Sequence, residues 1–377
     1  MPLHKNITVF PNLFIEERVK KLYDSFEYFN KKVINKEPDI EYENIYSFKL
    51  VPEYFELNRR NHKYKTKKIP QYNWGYSILL NDVNSIEGYL QQQFSSKKRS
   101  IIKRYVNRLE SCFNIRYKLY HGDLSQENYF FIMESLKNMI IERFRELNDT
   151  HKNMKEWDFL LSSTYEKIIN KTASLFVIYN DEEPIEISLN YHYDKILFSY
   201  VSSYSIDYSK FGLGHVEIFK QVEWCKRNDY ILFEMGVGGT DYKRRWSNNI
   251  YRYYQYIVYS DNSTFFGIYN TLKYRLKEYL KSKKPEKILG CLKNQSAAIN
   301  SSVSLTQIKN IEDSIRHEVS NLKAIKHTDK SSCFLRRHIH DFSYTTIDHI
   351  ESINVYKVNN NEYLIIGKNK YQKLFQN

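Results

Sequence analysis

The sequence predicts an α+β protein built on a mixed sheet flanked by helices, and three observations carry that prediction. Residues 173–179 (ASLFVIY), 185–193 (IEISLNYHY) and 195–204 (KILFSYVSSY) are consecutive runs rich in β-branched and aromatic residues, parted by short polar turns, which reads as an antiparallel meander. An amphipathic run at 215–228 separates the third of them from another strand-like segment, YILFEMG, so one helix crosses between two strands. Two longer amphipathic stretches precede the meander, and the resulting order is mixed rather than a strict β–α alternation.

In chain order, the first ninety-odd residues read as mixed structure: helical spacing over 15–29, strands at IYSFKLV and YSILL, and an exposed charged loop, NRRNHKYKTKKIPQ, between them. The segment SSKKRSIIKRYVNRLESC predicts a helix with an apolar stripe of Ile101, Ile102, Tyr105, Val106 and Leu109. Lys97, Lys98, Arg99, Lys103, Arg104 and Arg108 cover the rest of it, either as a solvated face or as phosphate contacts. FNIRYKLYHG alternates as a strand, and helices follow at 125–147 and 156–169. After the meander come the turn SIDYSKFGLG, the crossing helix, the strand YILFEMG, a strand YRYYQYIVYS and a basic helix around 268–281. Beyond Pro285 a small polar stretch reads as a linker, IKNIEDSIRHEVSNLKAI as a helix, and the final residues as a hairpin turning at Asn359-Asn360-Asn361 followed by a short helix. The domain boundaries expected are a partial amino-terminal lobe at 1–91, a core domain at 92–282, a linker at 283–305 and a small appendage at 306–377.

Length and composition fit this plan, since 377 residues with 42% hydrophobic content support two domains or one large domain with an appendage. A net charge of +13 favours anionic partners such as nucleotides, CoA phosphates, tRNA or a membrane surface. The four cysteines are scattered without metal-ligand spacing, so no metal and reduced thiols are expected. The start lacks a signal-peptide run and no apolar segment is long enough to span a bilayer, so a soluble, cytoplasmic chain is expected.

Two loops stand out. In SKFGLGHVEIF, Gly212 and Gly214 lie between a strand and a helix, where a helix amino terminus offers unpaired amides and partial positive charge to a phosphate. Lys210 adds a point charge, and His215 is either a phosphate contact or an ordinary helix-start residue; a plain tight turn is the competing role for the loop. In FEMGVGGTDYKRRW, a chain with only eleven glycines places Gly236, Gly238 and Gly239 within four positions, beside the acid Glu234 and a cationic, aromatic cluster. Such clustering points to a positive φ or a close approach of backbone to something.

A meander, a Gly-x-Gly turn, a helix and a strand together resemble the GNAT acyltransferase fold. The likeness extends to its CelD-type branch (the cellulose-biosynthesis-protein acetyltransferase-like domain), which is related to the Fem-type transferases. The pieces that carry it are Tyr204, Gly214, Glu234 through Gly238, and Tyr242-Lys243-Arg244-Arg245-Trp246, with the basic helix as the usual opening, over roughly residues 92 to 270. Glu234 stands where Asp is more usual, and Ser209 where the phosphate turn often begins with Gln or Arg. The resemblance implies acyl-CoA (acetyl-CoA) as co-substrate, its pyrophosphate held by Lys210, Gly212, Leu213, Gly214 and His215. It implies a small amine-bearing acceptor, an amino sugar or another cell-surface precursor, with Gly236, Gly238, Asp241 and Trp246 lining its site. Residues 1–91 are then a partial, degenerate companion lobe.

Acyl transfer to an amine needs a base, oxyanion stabilisation and an acid for the leaving thiolate. Glu234 is the candidate base or acceptor-orienting group, Lys243 the stabiliser of negative charge, Tyr242 the donor to the thiolate, and His192 a further candidate base. The bland counterparts are a structural Glu234–Lys243 ion pair, core packing for Trp246 and a surface position for His192. Two other functions fit the sequence: aminoacyl transfer from charged tRNA, as in Fem-type proteins, and a binding module working through the tail. The tail resembles a ParB-type segment, with Gly367 followed by Lys368-Asn369-Lys370 in place of His-Arg.

Overall fold

In the computed structural model, the described residues are 4–10, 12–15, 23, 25–34, 45–58, 64–146, 154, 156–238, 241–283, 303–312, 315, 319, 322, 324–325 and 330–376. The amino-terminal segment supplies β1 (His4–Thr8), α1 (Asn12–Ile15), β2 (Ser25–Tyr28), β3 (Lys31–Ile34), β4 (Ile45–Pro52), β5 (Glu56–Asn58) and β6 (Tyr64–Leu79). Next come α2 (Ile86–Gln93), α3 (Ser96–Cys112), β7 (Ile115–Tyr120), α4 (Gln126–Glu146), α5 (Trp157–Ile169), and the meander β8 (Ala173–Asn180), β9 (Glu183–Tyr193) and β10 (Ile196–Tyr204). A 3₁₀ turn (Ile206–Phe211) leads into α6 (Leu213–Arg227), then β11 (Leu232–Val237), α7 (Asp241–Trp246), β12 (Asn249–Ser260) and α8 (Thr264–Ser282).

Nine of these strands form one sheet in the order β1-β4-β12-β6-β11-β10-β9-β8-β7. Two neighbours are parallel, β1 with β4 and β10 with β11, and the rest are antiparallel. The helix α6 makes the crossover that the parallel β10–β11 pair demands. The amino-terminal strands are interleaved with those of the later segment: β6 hydrogen-bonds to β11 on one side and to β12 on the other.

Side chains alternate across this sheet and feed two cores. On one face Leu175, Val177, Leu189, Tyr191 and Phe198 pack with α4, α5 and the amino-terminal aromatics Phe10, Phe14 and Phe55. On the other, Phe176, Ile178, Leu197 and Phe233 pack with α2, α3 and α6.

Three sequence expectations need correction here. The segment read as helical over 15–29 contains β2, which pairs with β3 and β5 and stacks Phe26 on Tyr28 and Phe55; residues 16–22 lie outside the described ones. Aromatic alternation, not helical spacing, decides that stretch. The charged "loop" continues as the first half of the 16-residue β6, with Lys65 and Lys67 turned to solvent while Ile69 and Gln71 are buried. Pro70 falls where the β12–β6 register shifts, a position that tolerates a missing amide hydrogen.

The third correction concerns the tail, which comprises β13 (Val303–Leu305), β14 (Lys309–Asn310), β15 (Ala324–Ile325), α9 (Arg336–Thr346), β16 (Asn354–Lys357), β17 (Glu362–Ile366) and β18 (Lys370–Gln376). The hairpin turns at 359–361, but the last segment is a strand rather than a helix, and both ends of the stretch read as a helix at 308–325 are strand. Most of that stretch, and residues 284–302 of the linker, lie outside the described residues. The appendage docks on the 3₁₀ turn before α6: Arg336 pairs with Glu183 and Asp207, His340 packs against Tyr208, and Lys210 reaches Asp341 at 3.2 Å.

Helix α8 lies on the sheet through Gly267, where an added Cβ would sit 2.4 Å from the buried Tyr259 ring. Helix propensity alone makes Gly→Ala favourable by ~1 kcal/mol in a helix interior. The clash reverses that sign, because overpacking costs ~1–3 kcal/mol. Gly267→Ala is expected to lower the urea midpoint without changing the slope, and a raised midpoint would mean that α8 does not rest on Tyr259.

Candidate functional site

The parallel pair at the centre of the sheet is short. Ile196, Leu197 and Phe198 of β10 match Leu232, Phe233 and Glu234 of β11, and beyond that row both strands run on without pairing to each other. The β10–β9 register shifts between Ser199 and Val201, and the β11–β6 register shifts between Glu234 and Val237. A notch therefore opens in the sheet at the carboxyl ends of two parallel strands. The strand read as YILFEMG runs past the acid to Val237, with the irregularity directly after Glu234.

Glu234 is fully buried at the root of the notch. Its Oε2 accepts from the Tyr54 hydroxyl at 2.7 Å, and its Oε1 accepts from the amide of Gly236 at 2.7 Å. Gly236 has φ +70°, so the chain turns back on the carboxylate in a conformation that favours glycine. Burial raises the Glu234 pKa to about 7, against the opposing hydrogen bonds of Tyr54, Gly236 and Tyr251 and the charge of Lys243. Tyr251 and Tyr253 share a 2.9 Å hydroxyl contact beside it. Lys243, on α7, donates to the Met235 carbonyl at 2.5 Å, and its ammonium is 3.7 Å from where a Cβ on Gly238 (φ +149°) would lie. On the same helix Tyr242 is 40% exposed, and Asp241 is exposed and ion-paired to Arg245. Gly239 lies outside the described residues.

The second loop is built around Gly212, which caps the 3₁₀ turn with φ +62°. A Cβ there would strike the Tyr105 ring of α3 at 2.8 Å, so this glycine serves the local fold. Gly214 differs: it is helical, its added Cβ would meet nothing within 4 Å, and neither conformation nor packing calls for glycine there. The amides of His215 and Val216 go to the Gly212 carbonyl (2.8 and 3.2 Å), while those of Leu213 and Gly214 open the helix. Lys210 is ion-paired to the appendage through Asp341. Two cations that sequence reasoning did not assign here act on the turn: burial lowers the His215 pKa, and the charges of Lys98 and Arg245 add to it.

Three candidates change role. His215 is stacked on Tyr105 (centroids 5.7 Å apart) and its Nδ1 accepts from Trp246 Nε1 at 2.8 Å, so it braces the helix start. Trp246 is fully buried between Tyr89 and Phe94, a core residue rather than a site wall. His192 is neither a surface residue nor near Glu234. It pairs with Leu197, one row from the Phe198–Glu234 row, and alternation sends the two side chains to opposite faces. There its ring contacts Tyr230 and Ser174, both at 2.7 Å, and burial with the nearby His121 holds its pKa well below the usual range.

That opposite face holds two carboxyls which sequence reasoning missed. Glu217 of α6 is buried beside Gln221, whose Nε2 donates to it at 2.9 Å, and burial raises its pKa to about 7, with Ser188, Ser202, Arg143 and Lys243 opposing. Glu186 is fully buried with no hydrogen-bond partner for either oxygen among the described residues, and burial next to Glu217 drives its pKa well up. Glu217 had a signal, since it lies four residues after Leu213 on the apolar stripe of α6. Glu186 had none, because Glu186, Ser188, Asn190 and His192 read as the solvent face of a half-buried strand. Among the described residues no group of three or more His, Cys, Asp or Glu is placed to hold a metal, and no helix is long and apolar enough to cross a membrane.

Against this geometry the comparisons are direct. Residues 96–244 match the family described as Acetyltransferase (GNAT) domain. The match is to this segment, and the chain has an α+β fold, a mixed sheet flanked by helices. No curated protein matches the sequence. A conserved protein of unknown function from Bacteroides thetaiotaomicron VPI-5482 is similar in structure (TM-score 0.40, 10% identity, 57% of this chain and 70% of that one). So are L-PGS from Bacillus licheniformis (TM-score 0.37, 13% identity, 60% and 72%) and FemX (TM-score 0.30, 10% identity, 55% and 68%).

The buried carboxyls make stability pH-dependent with a definite sign. A carboxyl whose folded pKa is raised stabilises the fold fully below its unfolded value, and that contribution is lost as pH climbs through the folded value. For Glu217, raised from 4.5 to about 7, the loss falls between those values and is on the order of 3 kcal/mol. Glu217→Gln is expected to flatten the fall in urea-unfolding free energy over that window. An unchanged slope would show that Glu217 titrates as an ordinary carboxyl.

Proposed function

We propose that the chain transfers an acyl group from acyl-CoA to an amine, on an amino sugar or another cell-surface precursor, in the manner of the CelD-type branch. The observation that carries this reading is the notch: two parallel strands that part after three pairs, with the crossing helix starting at one side and a buried acid at its root. A thioester lying along the free edge of β10 would bring its pyrophosphate toward the amides of Leu213 and Gly214, where Lys98 and Arg245 add positive charge. The open space at Gly214 supports this placement.

In the reaction the amine attacks the thioester carbonyl, the C–N bond forms, the C–S bond breaks, and the amine's proton goes to base. Glu234 is enclosed, but Tyr54 is only partly buried and hydrogen-bonded to it. The proton is accordingly relayed from the amine through the Tyr54 hydroxyl to Glu234, whose pKa of about 7 suits a base at neutral pH. Lys243 offsets the charge on the oxyanion, and the exposed Tyr242 donates to the departing thiolate.

Two experiments test this. Gly214→Val adds a side chain to open space and should fold normally while losing binding of acetyl-CoA in calorimetry; unaltered binding would remove the carrier site from this turn. Glu234→Gln and Tyr54→Phe should each lower kcat by roughly 10²–10⁴-fold across an amino-sugar panel, with the melting temperature recorded alongside. Full activity in either variant would sink the relay.

A further inference from the structure

Helix α8 has a third face that neither the fold nor the proposed reaction uses. Its buried side is Gly267, Asn270, Thr271, Tyr274 and Glu278, set against β6 and β12. Opposite lie Phe265 (78% exposed), Tyr269 (57%), Leu272 (60%), Leu276 (59%) and Tyr279 (58%), with Ile268 and Leu280 about half exposed. At 3.6 residues per turn these seven side chains fall within an arc of about 120°, running the length of a helix roughly 28 Å long. Singly exposed apolar side chains are ordinary, but a continuous stripe of seven marks an interaction surface.

The rim of the stripe decides what covers it. Lys273 follows it on one flank, with Lys277 beyond, and Arg275 lies on the other, so cations border the apolar arc on both sides. The one acid on the helix, Glu278, is buried, accepting from the Tyr72 amide at 2.8 Å and from Lys281. Lys49 belongs to the same positive cluster, since burial and then the charges of Lys277 and Lys281 lower its pKa. A ridge of Leu, Ile, Phe and Tyr between two rows of Lys and Arg has the amphipathic pattern of an interfacial helix. A second copy of the same face would set these cations against each other.

We propose that α8 docks the protein on an anionic lipid surface, its apolar ridge entering the headgroup boundary while Lys273, Arg275 and Lys277 meet the lipid phosphates. The rest of the sheet stands behind the helix, so the domain lies on the bilayer without crossing it.

Flotation of the full chain with phosphatidylcholine vesicles, with and without one quarter phosphatidylglycerol, tests this. Expected is at least tenfold stronger partition onto the anionic vesicles, weakened by raising salt from 50 to about 500 mM. Leu272→Glu with Leu276→Glu, at exposed positions, should abolish flotation with the melting temperature unchanged, and Lys273→Glu with Lys277→Glu should remove the preference for anionic lipid. Should the charged pair not fold, a bimane label on Leu276→Cys reports instead: its emission should shift to the blue with anionic vesicles. Absence of flotation, flotation untouched by either pair, or no blue shift would overturn the proposal. A dimer in light scattering that Leu272→Glu dissolves, with no lipid binding, would assign the face to a second copy of the chain.

Discussion

Everything in this molecule hangs on β11, a six-residue strand that joins two halves of a nine-stranded sheet. On one side it holds β10 by three residue pairs; on the other it holds β6 by a pairing that slips after Glu234. A strand pinned so briefly must gain stability from its side chains. Phe233 goes into one core and Glu234 into the other, where Tyr54 from the amino-terminal segment meets it. The carboxyl that supports the proposed chemistry is thus also a tie between the amino-terminal segment and the rest of the sheet. Breaking it would leave a buried acid without its phenolic donor, a penalty of ~1–3 kcal/mol or more.

The same geometry explains the glycines. Gly236 reverses the backbone so that its own amide returns to Glu234, and Gly238 leaves space beside the Lys243 ammonium. With a side chain at 236, the positive φ would be strained and the Cβ would press on Phe198 at 3.1 Å. What approaches the acid is first the chain itself. Tyrosine abundance acquires a structural use at the same place, because Tyr54, Tyr251 and Tyr253 bring hydroxyls into a core that could not otherwise accept a carboxyl.

Local periodicity made the central domain legible. The meander, the crossing helix and the helices at 96–112, 126–146 and 157–169 all obey a single period along their length, and the Gly-x-Gly turn and Glu234 were visible as departures from it. Where long-range pairing outweighs local pattern, the sequence misleads. β6 is half charged and contains a proline, yet eleven of its residues pair with β12, so it is a strand by virtue of its partner. His192 failed for a related reason: parity along a strand assigns a face only once the register with its neighbours is known. Tyr54 was invisible as a site residue, being 180 positions from the glutamate it touches.

The two buried acids that face the same lysine from opposite sides carry the argument one step further. Glu234 lies on one face of the sheet and Glu217 on the other, and the charge of Lys243 acts on both at the notch. Burial raises each carboxyl to about 7, with the Lys243 charge opposing that rise at both after their nearer hydrogen bonds. Ionising Glu217 draws on the cation that also steadies Glu234, and the charge it creates helps drive Glu186 beside it toward its neutral form. The two carboxyls, both raised to about 7 by burial, therefore compete for the Lys243 charge. In this way a polar row under a helix is coupled through Lys243 to the proposed site on the other face of the sheet.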